Sequence, residues 1–337
     1  MSRSAQTRSD AAERGFELRV VDAPGNPGVP LNLEWLDEVR VNTSAVERRA
    51  ATLVTRRTVK KDWQIAWLLK AITCMDLTTL SGDDTHERVR RLCSKARSPL
   101  TEEVKAQLGI GDLQLQVAAV CVYHLFVATA RRALEGTPIR VAAVSTGFPA
   151  GLNAFEERLA EVRSSVAAGA QEIDVVVTRA HVFGAEWQRL YDEVRAFKDA
   201  CGTAHCKVIL GSGDLATLRN VGRASLVAMM AGADFIKTST GKETVNATLP
   251  VGLVMTRAIR EYAEATSVAV GFKPAGGIRT ARQSLEWLTL MKEELGALWL
   301  TPHLFRLGAS SMLSDIERQL SFHGSGRYAA AYRQPLV

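Results

Sequence analysis

Two lysines, each at the end of a short apolar segment, have the positions in this sequence best suited to chemistry. Lys237 ends Ala-Asp-Phe-Ile-Lys and Lys273 ends Val-Gly-Phe-Lys, and a loop of small residues follows each. A low dielectric disfavours the ammonium ion, and a second positive charge nearby disfavours it further. If neighbouring strands place the two side by side, one amine becomes a nucleophile that can form a Schiff base with a carbonyl. The alternative is a pair of solvated lysines or structural ion pairs.

A carboxylate in a third apolar segment is the candidate proton carrier. Asp174 lies within the segment 172–177, Glu-Ile-Asp-Val-Val-Val, where a charge needs a partner. A carboxylate within reach of an amine and a carbonyl can move protons between them. A buried ion pair with one of the lysines is the alternative, and it is compatible with the catalytic interpretation. Asp76 and Cys121 also lie at the ends of apolar segments.

Three glycine-rich loops indicate anion binding. They span 240–242, 276–279 and 308–311, and each precedes a predicted helix. Free backbone N–H groups and the helix dipole suit such loops to phosphate. Glycine at a strand-to-helix turn is often only turn chemistry, but three neighbouring loops with Lys242 and Arg279 are more specific. No Gly-x-x-x-x-Gly-Lys-Ser/Thr motif is present, so the predicted phosphate belongs to a small substrate and not to ATP.

The alternation of short apolar segments with amphipathic ones predicts the architecture that positions these residues. Near-continuous apolar segments are typical of parallel strands buried on both faces. Strand and helix alternate eight times, which predicts an α/β fold, a (β/α)8 TIM barrel with its active site at the carboxyl ends of the strands. An open doubly wound sheet is the alternative, but no early Gly-x-Gly-x-x-Gly opens a helix. The predicted strands span 71–76, 116–123, 140–146, 172–177, 206–210, 234–238, 268–273 and 304–308.

Composition sets the boundaries and excludes several function classes. We predict a loop-rich N-terminal extension with a short helix (1–60), the barrel (61–320) and a tail (321–337). The net charge of +6 includes one short basic run, Arg56, Arg57, Lys60 and Lys61, which lacks interleaved aromatic residues, so no nucleic-acid partner is expected. No apolar stretch is long enough for a membrane span. Five irregularly spaced cysteines indicate a reduced, cytoplasmic protein, and Cys201, His205 and Cys206 lack zinc-like spacing.

Six segments of the sequence resemble the lysine-dependent deoxyribose-phosphate aldolases, in particular the longer animal members. The motifs Phe-Ile-Lys-Thr-Ser-Thr-Gly-Lys and Gly-Phe-Lys-Pro-Ala-Gly-Gly are highly specific when they occur together. The resemblance covers residues 65–320 through the segments 75–84, 120–123, 169–177, 231–242, 271–279 and 305–311. It implies reversible cleavage of 2-deoxy-D-ribose 5-phosphate to acetaldehyde and D-glyceraldehyde 3-phosphate, in deoxynucleoside catabolism. There are two alternatives. The enzyme could be an aldolase that acts on a different phosphorylated aldehyde, or the barrel could have an additional binding or scaffold role.

The resemblance also implies a role for each candidate residue. Lys237 is the Schiff-base nucleophile, Lys273 lowers its pKa and relays protons, and Asp174 donates and accepts protons. No cofactor and no metal are implied, and the enzyme is expected to be a monomer or homodimer. Tyr328 or Tyr332 of the tail is a candidate to approach the substrate. Asp76, Cys121 and Thr238 are expected to bind the substrate, and its phosphate group is assigned to Gly241, Lys242, Gly276, Gly277, Arg279, Gly308, Ser310 and Ser311.

Two departures from the family pattern bear on the fit of the substrate. His124 stands where a proline is expected after Cys-Val-Tyr, and Gly-Ser-Gly-Asp at 211–214 replaces a Thr-Gly-Glu pattern. Neither removes a catalytic group, so we expect the reaction type to be unaffected.

Overall fold

A parallel eight-stranded barrel is the centre of the molecule. The computed structural model describes residues 25–56, 59–328 and 330, so Arg57 and Tyr332 lie outside the described residues. The strands are ordered β7-β6-β5-β4-β3-β2-β1-β8, and bridges from Phe272 to Phe305 and from Ala275 to Gly308 link β7 to the β8 side. The predicted (β/α)8 barrel is therefore confirmed. The strands are β1 (Met75–Thr78), β2 (Ala119–Tyr123), β3 (Arg140–Ser145), β4 (Glu172–Val176), β5 (His205–Ile209), β6 (Phe235–Lys237), β7 (Gly271–Lys273) and β8 (Leu307–Ala309).

Helices cover the outside of the barrel. Several begin at a threonine whose hydroxyl accepts a hydrogen bond from the first turn, as at Thr248 and Thr280, and Thr280 forms a capping box with Gln283. The helices are α1 (Leu33–Glu38), α2 (Thr43–Arg56), α3 (Lys61–Thr73), α4 (His86–Arg97), α5 (Glu102–Gln107), α6 (Val127–Ala133), α7 (Phe155–Ala167), α8 (Arg179–Phe183), α9 (Trp187–Cys201), α10 (Leu218–Met230), α11 (Leu249–Thr266), α12 (Ala281–Leu295) and α13 (Met312–Ser325).

The predicted limits of the first strand were wrong. Residues 71–73 belong to α3, and β1 begins only at Met75. Ala71 and Ile72 lie three and four residues after Leu68, and all three are buried, which is the spacing of a helix face. An apolar run at the end of a helix therefore continued without a visible break into the apolar run of the strand.

The interior of the barrel is charged, whereas the layer between strands and helices is apolar. Among the residues that the structure describes, seven ionisable side chains inside the barrel have 2% or less of their surface exposed. Glu172 and Asp174 are two residues apart on β4, so both point to the same side of the sheet. No described helix is long and apolar enough to cross a membrane. The seven residues are Asp76, Glu172, Asp174, Lys207, Lys237, Lys273 and Arg306.

Candidate active site

Neighbouring strands bring the two predicted lysines together around one carboxylate. Lys237 at the end of β6 is the register partner of Lys273 at the end of β7. Both Nζ atoms donate to the same oxygen, Oδ2 of Asp174, at 2.8 Å from Lys237 and 2.7 Å from Lys273. All three side chains are buried. The alternative of solvated lysines is thereby excluded, and the three predicted groups form one cluster.

The surroundings of the two lysines change their pKa values in opposite directions. Burial lowers the pKa of Lys237; Asp174 opposes this effect, and the positive charge of Lys273 adds to it. Burial also acts against the charged form of Lys273, but Asp174 and Asp76 together raise its pKa above the ordinary value. Lys273 lies 2.5 Å from Asp76 Oδ2 in addition to its contact with Asp174. Lys237 is therefore the amine that more readily loses its proton.

Asp174 is a carboxylate in this arrangement. Burial alone acts to raise its pKa, but Lys237 and Lys273 lower the pKa far below the usual range. Its second oxygen, Oδ1, has no hydrogen-bond partner among the described residues, and Lys207 Nζ lies 3.5 Å from it. Asp174 can thus accept a proton directly, whereas to donate one it must first receive it.

A second charged layer lies beneath this cluster, deeper in the barrel. Arg306 donates to Asp76 Oδ1 at 2.6 Å and to both oxygens of Glu172, at 2.7 and 3.0 Å. Lys207 contacts three carboxylates: Asp76 at 3.3 Å, Asp174 at 3.5 Å, and Glu172. These contacts connect the layer to Lys273 through Asp76.

The buried cluster contains more bases than acids. Three carboxylates (Asp76, Glu172, Asp174) face four bases, and the partly exposed Arg140 approaches Glu172 at 3.8 Å from the edge of the barrel. A buried charge without a partner is costly, so the cluster favours the loss of one proton from a lysine. Within the described part of the chain, Lys207 has three carboxylate partners, Lys273 has two and Lys237 has one. The count of partners also identifies Lys237 as the neutral amine.

Glu172, Lys207 and Arg306 were not among the residues predicted for the site. Each stands in or beside an apolar segment, where a charged side chain is unusual. Glu172 lies two residues before Asp174 and Arg306 lies two residues before Gly308, so each shares a strand face with a predicted residue. That two-residue spacing is the sequence signal that could have assigned Glu172 and Arg306 to the site.

A cavity of about 340 Å³ opens above the two lysines at the carboxyl ends of the strands. All eight residues assigned to the phosphate group line it, together with Lys237 and Lys273. The end of β1 and the loop that follows it, Thr78 to Ser81, form another wall that was not predicted. The cavity thus places three loops rich in N–H groups on one side and an amine at its floor. Its eight phosphate candidates are Gly241, Lys242, Gly276, Gly277, Arg279, Gly308, Ser310 and Ser311.

Close packing explains two of the glycines in these loops. Gly276 has φ +84°, and a Cβ atom there would lie 2.5 Å from Asn246 Oδ1. A Cβ atom on Gly308 would lie 2.8 Å from Cβ of Ala275 and 3.3 Å from Cε of Lys273. The loops therefore approach each other and the lysine at distances that only glycine permits.

The three residues predicted to bind the rest of the substrate, Asp76, Cys121 and Thr238, do not line the cavity. Asp76 lies beneath Lys273, and Cys121 packs with Ala142 and Val144, where burial raises the pKa of its thiol. Thr238 Oγ1 donates to the carbonyl of Ala275 and accepts from its N–H, which joins the loops after β6 and β7.

The tail residue Tyr328 stacks on Phe322 of α13, with ring centroids 4.4 Å apart. It does not line the cavity described above. Tyr332 lies outside the described residues, so its predicted approach to the substrate stays a prediction. Within the described residues, no group of three or more His, Cys, Asp and Glu side chains is arranged to hold a metal ion.

Comparison with known proteins places the chain among aldolases. The model of a family described as DeoC/LacD family aldolase matches residues 70–313. The deoxyribose-phosphate aldolase of Mus musculus is 58% identical over 311 residues, and that of Homo sapiens is 56% identical over 313 residues. Each match covers 92% of this chain and 98% of the relative.

Solved structures with lower identity share the fold. A putative deoxyribose-phosphate aldolase from Toxoplasma gondii ME49 aligns with a TM-score of 0.66 at 21% identity, covering 80% of this chain and 98% of that one. A deoxyribose phosphate aldolase from Aeropyrum pernix, described as having a unique tetrameric structure, aligns with a TM-score of 0.54 at 22% identity, covering 78% of this chain and 98% of that one.

Proposed function

The chain belongs to the DeoC/LacD family of aldolases, and from that premise we propose that it cleaves 2-deoxy-D-ribose 5-phosphate reversibly to acetaldehyde and D-glyceraldehyde 3-phosphate. The main support in the structure is the position of Lys237. Among the described residues, it is the base with the fewest carboxylate partners in the buried cluster, and it lines a cavity that the three glycine-rich loops also line. A substrate with an aldehyde at one end and a phosphate at the other fits that arrangement.

The reaction begins with imine formation at Lys237. In this proposal its neutral amine attacks the C1 aldehyde of the open-chain sugar, and loss of water gives a protonated imine. Asp174 Oδ2 lies 2.8 Å from Nζ and accepts a proton during this step. The proton that Asp174 takes from the amine passes to the alkoxide of the adduct. Lys273 enters the step charged and donates a hydrogen bond to the same oxygen of Asp174, so it can supply the second proton, with which the hydroxyl group leaves as water.

Cleavage of the C2–C3 bond follows. A base removes the proton of the C3 hydroxyl, the C2–C3 electron pair moves toward the imine nitrogen, and D-glyceraldehyde 3-phosphate leaves. The enamine that remains on Lys237 takes a proton at C2, and hydrolysis of the resulting imine releases acetaldehyde. We assign the proton transfers to the Asp174–Lys273 pair, and the C5 phosphate to the three glycine-rich loops.

Trapping of the imine tests the reaction and the residue together. The protein is incubated with acetaldehyde and sodium borohydride, digested, and the modified peptide is mapped by mass spectrometry. We expect one reduced adduct, on Lys237, and none in the Lys237→Met variant. An adduct on another lysine, or no adduct in a folded protein, contradicts the proposal. A panel of phosphorylated aldehydes then separates this substrate from the alternatives.

We also propose that the enzyme is cytoplasmic and is a monomer or a homodimer. The five cysteines are free and buried, which fits a reducing compartment. Light scattering after size-exclusion chromatography measures the mass in solution, and a value of four chains contradicts the proposed state.

A further inference from the structure

The side chain of Glu243 occupies the loop that follows β6. Its carboxylate accepts hydrogen bonds from the Thr240 N–H, at 3.0 Å to each oxygen, and from the Gly241 N–H at 3.1 Å. The Thr240 hydroxyl donates a further hydrogen bond at 2.7 Å. Four donor–acceptor contacts from two successive residues therefore converge on one anionic group.

These donors belong to the wall of the cavity described above. Thr240, Gly241 and Lys242 all line it. Gly241 has φ +89°, and a Cβ atom there would lie 3.7 Å from Cα of Gly276, so the loops after β6 and β7 are in contact. Successive N–H groups that point to one place form a concavity that binds anions. The anion that these groups bind in the structure is the protein's own carboxylate, that of Glu243.

The backbone of the loop is fixed independently of that carboxylate. Asn246 Nδ2 donates to the carbonyl oxygen of Glu243 at 2.8 Å, and the Asn246 side chain lies against Gly276. The Lys242 N–H donates to Thr240 Oγ1 at 3.1 Å. The Glu243 side chain can therefore rotate out of the loop while these backbone contacts remain.

We propose that Glu243 is an internal competitor for the phosphate group of the substrate and thereby sets how tightly the site binds phosphorylated substrates. This inference rests on the proposed function, because it requires the phosphate to bind at the loop after β6. A carboxylate and a phosphate dianion in the same concavity repel each other, so the carboxylate leaves when the phosphate enters. A dianion that also gains Lys242 and Arg279 displaces Glu243, whereas a weaker anion or an unphosphorylated sugar does not. Because the competition acts only on anions that enter the loop, Glu243 lowers the affinity for phosphorylated substrates and leaves the binding of unphosphorylated sugars unchanged.

Binding of inorganic phosphate tests the competition directly. Isothermal titration calorimetry compares the wild-type protein with Glu243→Gln, which keeps the size of the side chain, and Glu243→Ala, which removes it. The control is Glu264→Gln, which removes the same charge from an exposed position near the C-terminal end of α11. We expect phosphate to bind about tenfold more tightly to both Glu243 variants, and with wild-type affinity to the control.

Kinetics give a second measurement. The KM for 2-deoxyribose 5-phosphate should fall by a similar factor in both Glu243 variants, whereas kcat/KM for unphosphorylated 2-deoxyribose should not change. Unchanged or weaker phosphate binding in both folded variants overturns the inference and assigns Glu243 to support of the loop. Failure of the proposed function can be distinguished from failure of this inference, because in that case the wild-type protein itself would show neither cleavage nor an adduct on Lys237.

Discussion

Lys237 and Lys273 differ in function because they differ in partners. Their Nζ atoms share one oxygen of Asp174, yet only Lys273 also contacts Asp76. The second carboxylate keeps Lys273 charged, and that charge in turn disfavours the ammonium form of Lys237. One added ion pair therefore separates two chemically identical side chains into a nucleophile and a cation.

Replacement of Lys273 by methionine should greatly reduce activity but leave the nucleophile in place. The variant loses the charge that lowers the pKa of Lys237 and the hydrogen bond to Asp174. We expect kcat/KM at pH 7 to fall by roughly 10²–10⁴-fold, the usual contribution of a positioned acid–base group. The pKa of Lys237 should rise, so activity should partly recover as the pH increases. Initial rates from pH 6 to pH 10 measure both effects.

The matched control for this variant is Lys105→Met on α5, which removes a lysine that pairs with Glu102 on the same helix. Its rates should equal those of the wild-type protein. A Lys273→Met variant that retains wild-type kcat/KM at pH 7 would show that Lys273 does not activate Lys237.

At the scale of single elements, closure of the barrel between β7 and β8 depends on the absence of a side chain at Gly308. A methyl group there would meet Ala275 Cβ at 2.8 Å and Lys273 Cε at 3.3 Å. Gly308→Ala should therefore lower the free energy of unfolding by about 1–3 kcal/mol through overpacking, and lower kcat by displacing Lys273. Chemical denaturation and steady-state kinetics measure the two effects.

Gly82→Ala is the control for Gly308→Ala. A Cβ atom at Gly82 meets no atom within 4 Å, and its φ lies outside the left-handed region. Both the unfolding free energy and kcat should stay close to the wild-type values. Equal effects of the two substitutions would argue against a specific role for the close approach at Gly308.

The sequence predicted the elements better than it predicted the interior of the barrel. Helix α12 begins and ends at residues whose types mark helix ends, because Thr280 caps it and Gly296 follows it. The phosphate candidates all line the cavity, since glycine-rich turns at strand ends keep their position in any barrel of this kind. The contacts of Glu172, Lys207 and Arg306 were not predictable, because they join strands far apart in the sequence and depend on the register of the sheet.

At the scale of the whole molecule, the charged interior links the bottom of the barrel to the nucleophile. Arg306 does not touch Lys237, but it pairs with Asp76 and Glu172, and Asp76 pairs with Lys273. Without Arg306, three carboxylates face three lysines, and the excess of base that favours a neutral Lys237 disappears. Arg306→Met should therefore shift the acidic limb of the pH–kcat/KM profile to higher pH.

The double variant Arg306→Met/Glu172→Gln separates this electrostatic effect from damage to the fold. Removing one partner of a buried pair costs about 3–5 kcal/mol because the other charge is left unpaired, so the single variant should also be less stable. The double variant has two carboxylates and three lysines, which restores the excess of one base, and the acidic limb should return toward its wild-type position. If the acidic limb lies at the same pH in the wild-type protein, the single variant and the double variant, the buried cluster does not control the pKa of Lys237.

The same cluster should make the protein sensitive to acid. Lysine and arginine partners lower the pKa values of Asp76 and Asp174 well below their usual range, against the opposing effect of burial. Partners also lower the pKa of Glu172, to about 2. Because each pKa is lower in the folded chain than in the unfolded one, the unfolded chain binds more protons as the pH falls. The stabilisation is therefore present above the pKa values of the carboxylates in the unfolded chain, at about pH 4–4.5, and is lost progressively as the pH falls from there through the lower pKa values of the folded chain.

Urea denaturation at a series of pH values from 7 to 3 measures this loss. Each extra proton that the unfolded chain binds lowers the free energy of unfolding by about 1.4 kcal/mol per pH unit. Below about pH 4 we expect a slope steeper than this single-proton value. Arg306→Met/Glu172→Gln removes one of the three carboxylates and weakens the pairing of Asp76, so its curve should be shallower over the same range. An equally steep curve in both proteins would mean that exposed carboxylates, and not the charged interior of the barrel, set the stability in acid.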